Sequence, residues 1–237
     1  MRLIVNADDF GRSRGINRGV LECHDRGVVT SASLMAVWPA SAEAADAARD
    51  RPRLSIGLHL DLGEWRRRDH DWECTYLRVP LDDGEAIQTE LERQLRVFRT
   101  LVGRDPTHLD SHQHVHRDEP VRSILLELGR ELGVPVRHES PHVAYLGDFF
   151  GQLRTGESMP QAVAVEALIE LIESLEEDTT ELACHPGYAD DLATAYQHER
   201  ALEVTTLCDV RVRDALIENG IELGSFYALA TLRTIFR

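Results

Sequence analysis

The amino-acid sequence predicts an α/β fold, a single (β/α) barrel-like domain over 1–237 with seven parallel strands. Two observations carry this expectation. Short β-branched runs alternate strictly with amphipathic helical stretches, the pattern of a parallel sheet joined by right-handed crossovers. No composition break, repeat or linker divides the 237 residues, and 43% hydrophobic with 28% charged content is that of an ordinary folded chain. An open doubly wound sheet is the alternative arrangement of the same elements.

The elements follow in order. LIVNA (3–7) is the first strand, and INRGVLECHDRG (16–27) the first helix. VVTSASLMAV (28–37) is the second strand, followed by the alanine-rich helix SAEAADAARDR (41–51) and the third strand LSIGLHLDL (54–62). Ile87, Leu91, Leu95, Phe98 and Leu101 recur at steps of three and four, which paints one face of a helix. PTHLDSHQ (106–113) is the fourth strand, and Pro120 opens the next helix, because a first-turn proline gives up no helical hydrogen bond. VPVRHE (134–139) is the fifth strand, and Val165, Leu168, Ile172 and Leu175 stripe another helix. ELACHP (181–186), helical sequence over 198–219 and IELGSFY (221–227) close the series. Two connections are long for an α/β unit, about 63–85 with Trp65, Trp72 and Tyr76, and about 140–160, rich in aromatics and glycine. Loops of this kind serve as lids or binding walls, or pack on the barrel rim.

Charge narrows the partners. Lys and Arg total 26 against 41 Asp and Glu, a net −15 that repels phosphate backbones, so nucleic acid is not an expected partner and a small, neutral or cationic substrate is. Cys23, Cys74, Cys184 and Cys208 form no C-x-x-C pair, which fits a reducing compartment. MRLIVNADDFG reaches two acids after one short strand, and no apolar run is long enough to cross a bilayer. The expectation is a cytoplasmic protein that does not enter the membrane.

In a parallel sheet all strand C-termini share one face, where the active sites of such folds lie. Asp8 and Asp9 end the first strand, His59 the third, Asp110 and His112 the fourth, Arg137 the fifth and His185 the sixth. HLDSHQHVH (108–116) packs four histidines and an aspartate into nine positions. In an extended chain Asp110, His112, His114 and His116 share one face. Imidazole nitrogen and carboxylate oxygen together suit a borderline divalent cation, so His59, His112 and one strand-1 carboxylate make a two-histidine, one-carboxylate set. Asp110, His114 and His116 then serve as hydrogen-bond partners behind the ligands. Each residue also has a plainer reading. Asp8 and Asp9 suit a helix cap or turn, His59 a satisfied core position, and His108–His116 a polar loop. His185, able to protonate a leaving group, also fits a structural hydrogen bond. Arg137 suits either an aspartate base or a rim ion pair. Asp61 orients a ring or caps a loop, and His24, His70, His138, His142 and His198 read as structural or solvated.

Taken together, LIVNADDFG, VVTSASLM, SIGLHLDL, PTHLDSHQHVH, the CHP strand and ELGSF resemble the YdjC-like family of carbohydrate deacetylases, which includes chitooligosaccharide deacetylases. The matching stretches run in family order over almost the whole chain. The resemblance implies a distorted (β/α) barrel, one divalent cation (Mg2+ or Zn2+), and removal of acetyl groups from N-acetylated sugars. By motif position Asp9, His59 and His112 look like the metal ligands and Asp8 like the general base. By analogy with the wider deacetylase group, His185 is the acid and Arg137 the partner of the base. A homodimer is a family-level expectation. Gln113 stands where some relatives carry a further histidine, and neither long loop follows a matching pattern, so substrate identity does not carry over. The rival readings are a barrel phosphoesterase or amidohydrolase, which usually place H-x-H where this chain has Asp8 and Asp9, and a non-catalytic sugar-binding relative.

Overall fold

The computed structural model describes residues 1–68, 71–153, 155–188, 190–192 and 196–232. His70, read above as solvated or structural, lies outside the described residues.

Strand β1 (Arg2–Phe10) runs through the middle of the sheet, with every residue after Arg2 buried. Ser13 caps helix α1 (Arg14–Asp25) by accepting from the Ile16 amide, and Ile16, Val20 and Cys23 turn one face inward. Then come β2 (Ser31–Leu34), α2 (Ser41–Arg49), β3 (Ser55–Leu60), and a hairpin of β4 (Gly63–Arg68) and β5 (Asp71–Leu77). Helix α3 (Gly84–Val102) starts at an Asp83 side-chain cap and stops at Gly103, whose φ of 78° suits glycine. After β6 (Leu109–Ser111) and a 3-10 turn (His112–Arg117) the chain continues through α4 (Val121–Leu132) and β7 (Ala144–Leu146). The final elements are α5 (Val165–Glu173), β8 (Thr179–Cys184), α6 (His198–Leu207), α7 (Val210–Glu218), β9 (Glu222–Leu223) and α8 (Phe226–Leu232).

The seven-stranded sheet runs β6-β3-β2-β1-β8-β7, with β9 also on β1, and every pairing in it is parallel. It curves into a half-barrel, the α/β class expected from the alternation, but its members differ from those expected. Over 134–139 only Val136 bridges Leu109. At the opposite edge, beside β8, stands β7, inside what reads as a loop. Within 63–77, β4 and β5 pair antiparallel, and 198–219 breaks at Cys208 and Asp209, where the Asp209 side chain caps α7. Among the described residues no helix is long and apolar enough to cross a membrane.

Barrel interiors of this class are usually filled by branched apolar residues. Here one level is polar. Asn6 and Asp8 on β1, Ser33 on β2, Asp110 on β6 and Glu181 on β8 are all buried. Asn6 donates to Asp8 Oδ1 (2.9 Å) and Ser33 Oγ (2.8 Å), and Ser33 donates to Asp110 Oδ2 (2.6 Å). An unbonded buried polar atom is costly, so the bonds of this network help to fix the geometry of the side chains above it.

Candidate active site

Asp8 and Asp9 part company at the end of β1. Asp9 takes a left-handed φ of 64°, and the register with β2 shifts between Ala7 and Phe10. Strain of this kind at a non-glycine residue is typical of functional sites. Gly11 completes the turn at φ 89°, where a Cβ would stand 2.7 Å from Leu34 Cδ1.

Asp9 is 1% exposed, and its two oxygens have different surroundings. Oδ2 accepts from Arg200 on α6, with Arg12 Nη1 at 3.7 Å. Oδ1 is buried without a hydrogen-bond partner among the described residues. Facing Oδ1 are His112 Nδ1 at 3.1 Å and His59 Nε2 at 3.7 Å. The parallel register sets His59 beside Asp110, and its Nδ1–H donates to Asp110 Oδ1 (2.8 Å), which leaves Nε2 aimed at Asp9. His112 Nε2 lies 3.5 Å from Arg12 Nη1, which can only donate, and 3.9 Å from Glu64 Oε2, so offering Nδ1 to an ion requires the Nε2 hydrogen to turn to Glu64. Ligands sharing one ion at metal–ligand distances of about 2.0–2.2 Å lie roughly 3.0–3.6 Å apart. An orphaned carboxylate oxygen and two imidazoles at this spacing therefore fit a divalent cation. Burial works against ionised Asp9, but Arg200, His112 and Arg12 outweigh it and hold the carboxyl well below its ordinary range. Burial likewise works against protonated His59, yet Asp110, Asp8 and Asp9 push it up to about 9.

Asp8 belongs to a different arrangement. Arg137 Nη2 donates to its Oδ1 and Nη1 to its Oδ2, both at 2.7 Å. The same guanidinium, 4% exposed as a residue, also meets Asp110 Oδ2 (2.9 Å) and Glu181 Oε1 (2.7 Å). Burial raises the Asp8 carboxyl, but Arg137 outweighs it, so the net shift is downward. His185 Nε2 stands 3.8 Å from Asp8 Oδ2. Burial lowers His185 to about 4 despite Asp8 and Asp9, so it is neutral at pH 7. Its backbone N–H donates to Glu203 on α6, and its ring meets Phe150 and Tyr196 edge-on at 5.4 and 5.6 Å. Tyr196 donates to Glu203 (2.5 Å) and accepts from the Gly151 amide (2.7 Å), so one buried carboxylate ties His185 to the 140–160 segment.

The histidine-rich stretch stays extended only to Ser111. Gln113 and His114 take left-handed φ values of 53° and 56° inside the 3-10 turn, so the shared face expected for 110, 112, 114 and 116 ends at His112. Gln113 instead clasps the Trp65 backbone, accepting at 2.8 Å and donating at 2.6 Å. The expected support for the ligands is thus divided. Asp110 does bond His59, whereas His116 bonds Ser111 Oγ (2.6 Å) and Arg137 O (3.1 Å), and His114 stands against His138 and Tyr145. His138, read as structural or solvated, therefore belongs to a histidine group. Among the described residues Asp61 bonds no histidine. It accepts from Trp38, Tyr76 and Arg78 and anchors the hairpin.

A cavity of about 710 Å3 collects these groups. Its walls include Asp8, Asp9, His59, His112 and His185, Trp65 and Trp72 from the hairpin, and Tyr145 and Phe150 from the second long segment. Both long connections thus border the site. Although the chain carries −15 overall, Arg12, Arg66, Arg67, Arg117 and Arg200 also line this cavity. Sequence reading missed Arg12, Arg200, Glu64, Glu181, Tyr196 and Glu203. For Glu181 a signal existed, an acid inside the apolar run of β8. For Arg200, 191 positions from Asp9, none did.

Comparison with known proteins agrees with this architecture. A protein from Enterococcus faecalis V583, described as a candidate for cellobiose-phosphate cleavage, superposes with a TM-score of 0.78 at 27% identity, covering 96% of this chain and 98% of that one. It shares the (β/α) half-barrel. The model of the YdjC-like protein family matches residues 2–218, and the chain belongs to that family. It is 35% identical to a carbohydrate deacetylase of Geobacillus stearothermophilus, over 94% of this chain and 96% of the relative. It is 33% identical to a chitooligosaccharide deacetylase of Citrobacter koseri, over 94% and 97%.

Proposed function

We propose that this chain is a metal-dependent carbohydrate deacetylase hydrolysing the acetamide of an N-acetylated sugar, with the whole chain as one catalytic unit. One observation carries the reading. Asp9 Oδ1, His59 Nε2 and His112 Nδ1 meet beside the Asp8–Arg137 pair and His185 on one cavity wall. Relatives named as carbohydrate and chitooligosaccharide deacetylases support the substrate class.

Asp9, His59 and His112 would hold one divalent cation, zinc or magnesium, whose Lewis acidity lowers the pKa of water and polarises an acetyl carbonyl. Asp8 acts as the base. Arg137 occupies one acceptor position on Oδ2, leaving a second for the proton of attacking water. The same ion pair keeps Asp8 ionised and aimed, at the expense of basicity. His185 is neutral at pH 7, so it acts as an acid only after gaining a proton, and Asp8 Oδ2 at 3.8 Å is the adjacent source. His185 then protonates the departing nitrogen, because an amide nitrogen leaves poorly until protonated. The C–N bond breaks to give acetate and the free amino sugar.

The test is acetate release from N-acetylglucosamine compounds beside a phosphoester panel. Asp8→Asn should lower release by about 100- to 10,000-fold, as expected for loss of a general base, with cation content unchanged. Loss of the cation in that variant would reverse the roles of Asp8 and Asp9. Phosphate release without acetate release would favour the phosphoesterase.

A further inference from the structure

We propose that His114, His116 and His138 form a second cation site, selective for transition metals and separate from Asp9, His59 and His112. Nitrogen atoms of the three imidazoles lie within 4.8 Å of one another. His138 Nε2 is 3.4 Å from His114 Nδ1. The ring centroids are 5.1, 5.8 and 6.1 Å apart. Imidazoles around one tetrahedral ion at about 2.0–2.1 Å place their centroids roughly 5 to 5.5 Å apart, so His114 and His138 already stand at that spacing and His116 would move inward by less than about 1 Å.

The surroundings prepare each ring. Tyr145 Oη lies 3.3 Å from His114 Nε2, which leaves Nδ1 towards His138. His116 donates from Nε2 to the Arg137 carbonyl (3.1 Å), so its lone pair is on Nδ1, where Ser111 Oγ now donates. A backbone carbonyl on the far nitrogen is the usual device that fixes the tautomer of a ligating histidine. An ion would displace the Ser111 hydroxyl hydrogen from Nδ1, while Ser111 Oγ also accepts from the His116 backbone N–H (3.1 Å).

The backbone carries a further observation. His114 and His138 hold left-handed φ values of 56° and 66° without being glycine. L-residues disfavour that conformation, and it persists where the surrounding structure imposes it, most often at functional sites. Here it turns two rings from different segments towards each other. Both rings line the cavity shared with Asp9, His59 and His112, so ions from solvent have access.

Ligand chemistry sets the metal class. The site offers three imidazoles and no carboxylate, a set that suits zinc, nickel or copper and not magnesium. The proposal does not depend on the deacetylase reading, because its measurement is binding.

Metal-stripped full-length protein would be dialysed against Ni2+ or Zn2+ and its bound metal counted. The wild type should hold two equivalents of either ion, but one of Mg2+. His138→Asn should hold one, since asparagine tolerates the left-handed backbone and the fold can be checked by its melting temperature. His112→Ala should also retain one equivalent. Its Cu2+ form should show nitrogen coupling from several imidazoles by electron paramagnetic resonance, lost when His138→Asn is added. A metal count that His138→Asn does not lower, whether made in the wild type or in His112→Ala, would overturn the proposal.

Discussion

Replacing Arg137 with methionine tests the polar interior most severely. The guanidinium is 4% exposed and bonds three buried carboxylates, Asp8 at 2.7 Å twice, Asp110 at 2.9 Å and Glu181 at 2.7 Å. Methionine has similar bulk, so the cavity stays filled and the loss is electrostatic. Removing one partner of a buried ion pair costs about 3–5 kcal/mol, because the charge left behind is uncompensated. For a chain of this length each kcal/mol moves the melting temperature by about 2–4 °C, so the expected fall is roughly 6–20 °C by calorimetry. Asp8 loses the charge that opposes its burial, so its pKa rises, and the acid limb of the pH–activity profile should move to higher pH. Arg137→Lys keeps the charge but not the fork, and should recover stability more than activity. A melting temperature within 2 °C of wild type for Arg137→Met would refute the reasoning, since it would mean the carboxylates are satisfied without Arg137.

Two further outcomes follow from the same network. Asp110→Asn replaces the carboxylate that orients His59 with a neutral carbonyl, and cation affinity should fall about 10- to 100-fold by competition with a chelator. Burial pushes Glu203 up to about 8 from 4.5, so the folded state holds that proton longer than the unfolded chain. Between those values the folded state binds more protons, and stability attributable to Glu203 is lost as pH rises. The melting temperature of wild type minus that of Glu203→Gln should therefore decline from pH 4.5 to 8 and level off above. A flat difference would show that Glu203 is ionised throughout.

The parts of this molecule legible in sequence are those where local pattern and tertiary position coincide. Asp8, Asp9, His59 and His185 each close a short apolar run, so a polar residue at a strand end announced itself. Other parts carried no local signal. The β4–β5 hairpin has almost no buried face, so period-two alternation is missing from DWECTYL. Gln113 and His114 turn left-handed without a glycine, which hides the end of β6 and the separation of His114 from His112. VPVRHE reads as a strand because it is β-branched, yet after Val136 the chain turns to deliver Arg137 into the interior. Arg200 reaches Asp9 from a helix that reads as ordinary amphipathic sequence. The ligand candidates are local in sequence, whereas the groups that tune them come from across the fold.

The central claim is that a cation at Asp9, His59 and His112 drives deacetylation. Its most direct test is acetate release from N-acetylglucosamine oligomers by metal-stripped protein, before and after single divalent cations are returned, beside His112→Ala. The account predicts no release from stripped protein, recovery with zinc or magnesium, and no recovery in the variant. Full release by stripped protein, or recovery in His112→Ala equal to wild type, would contradict it.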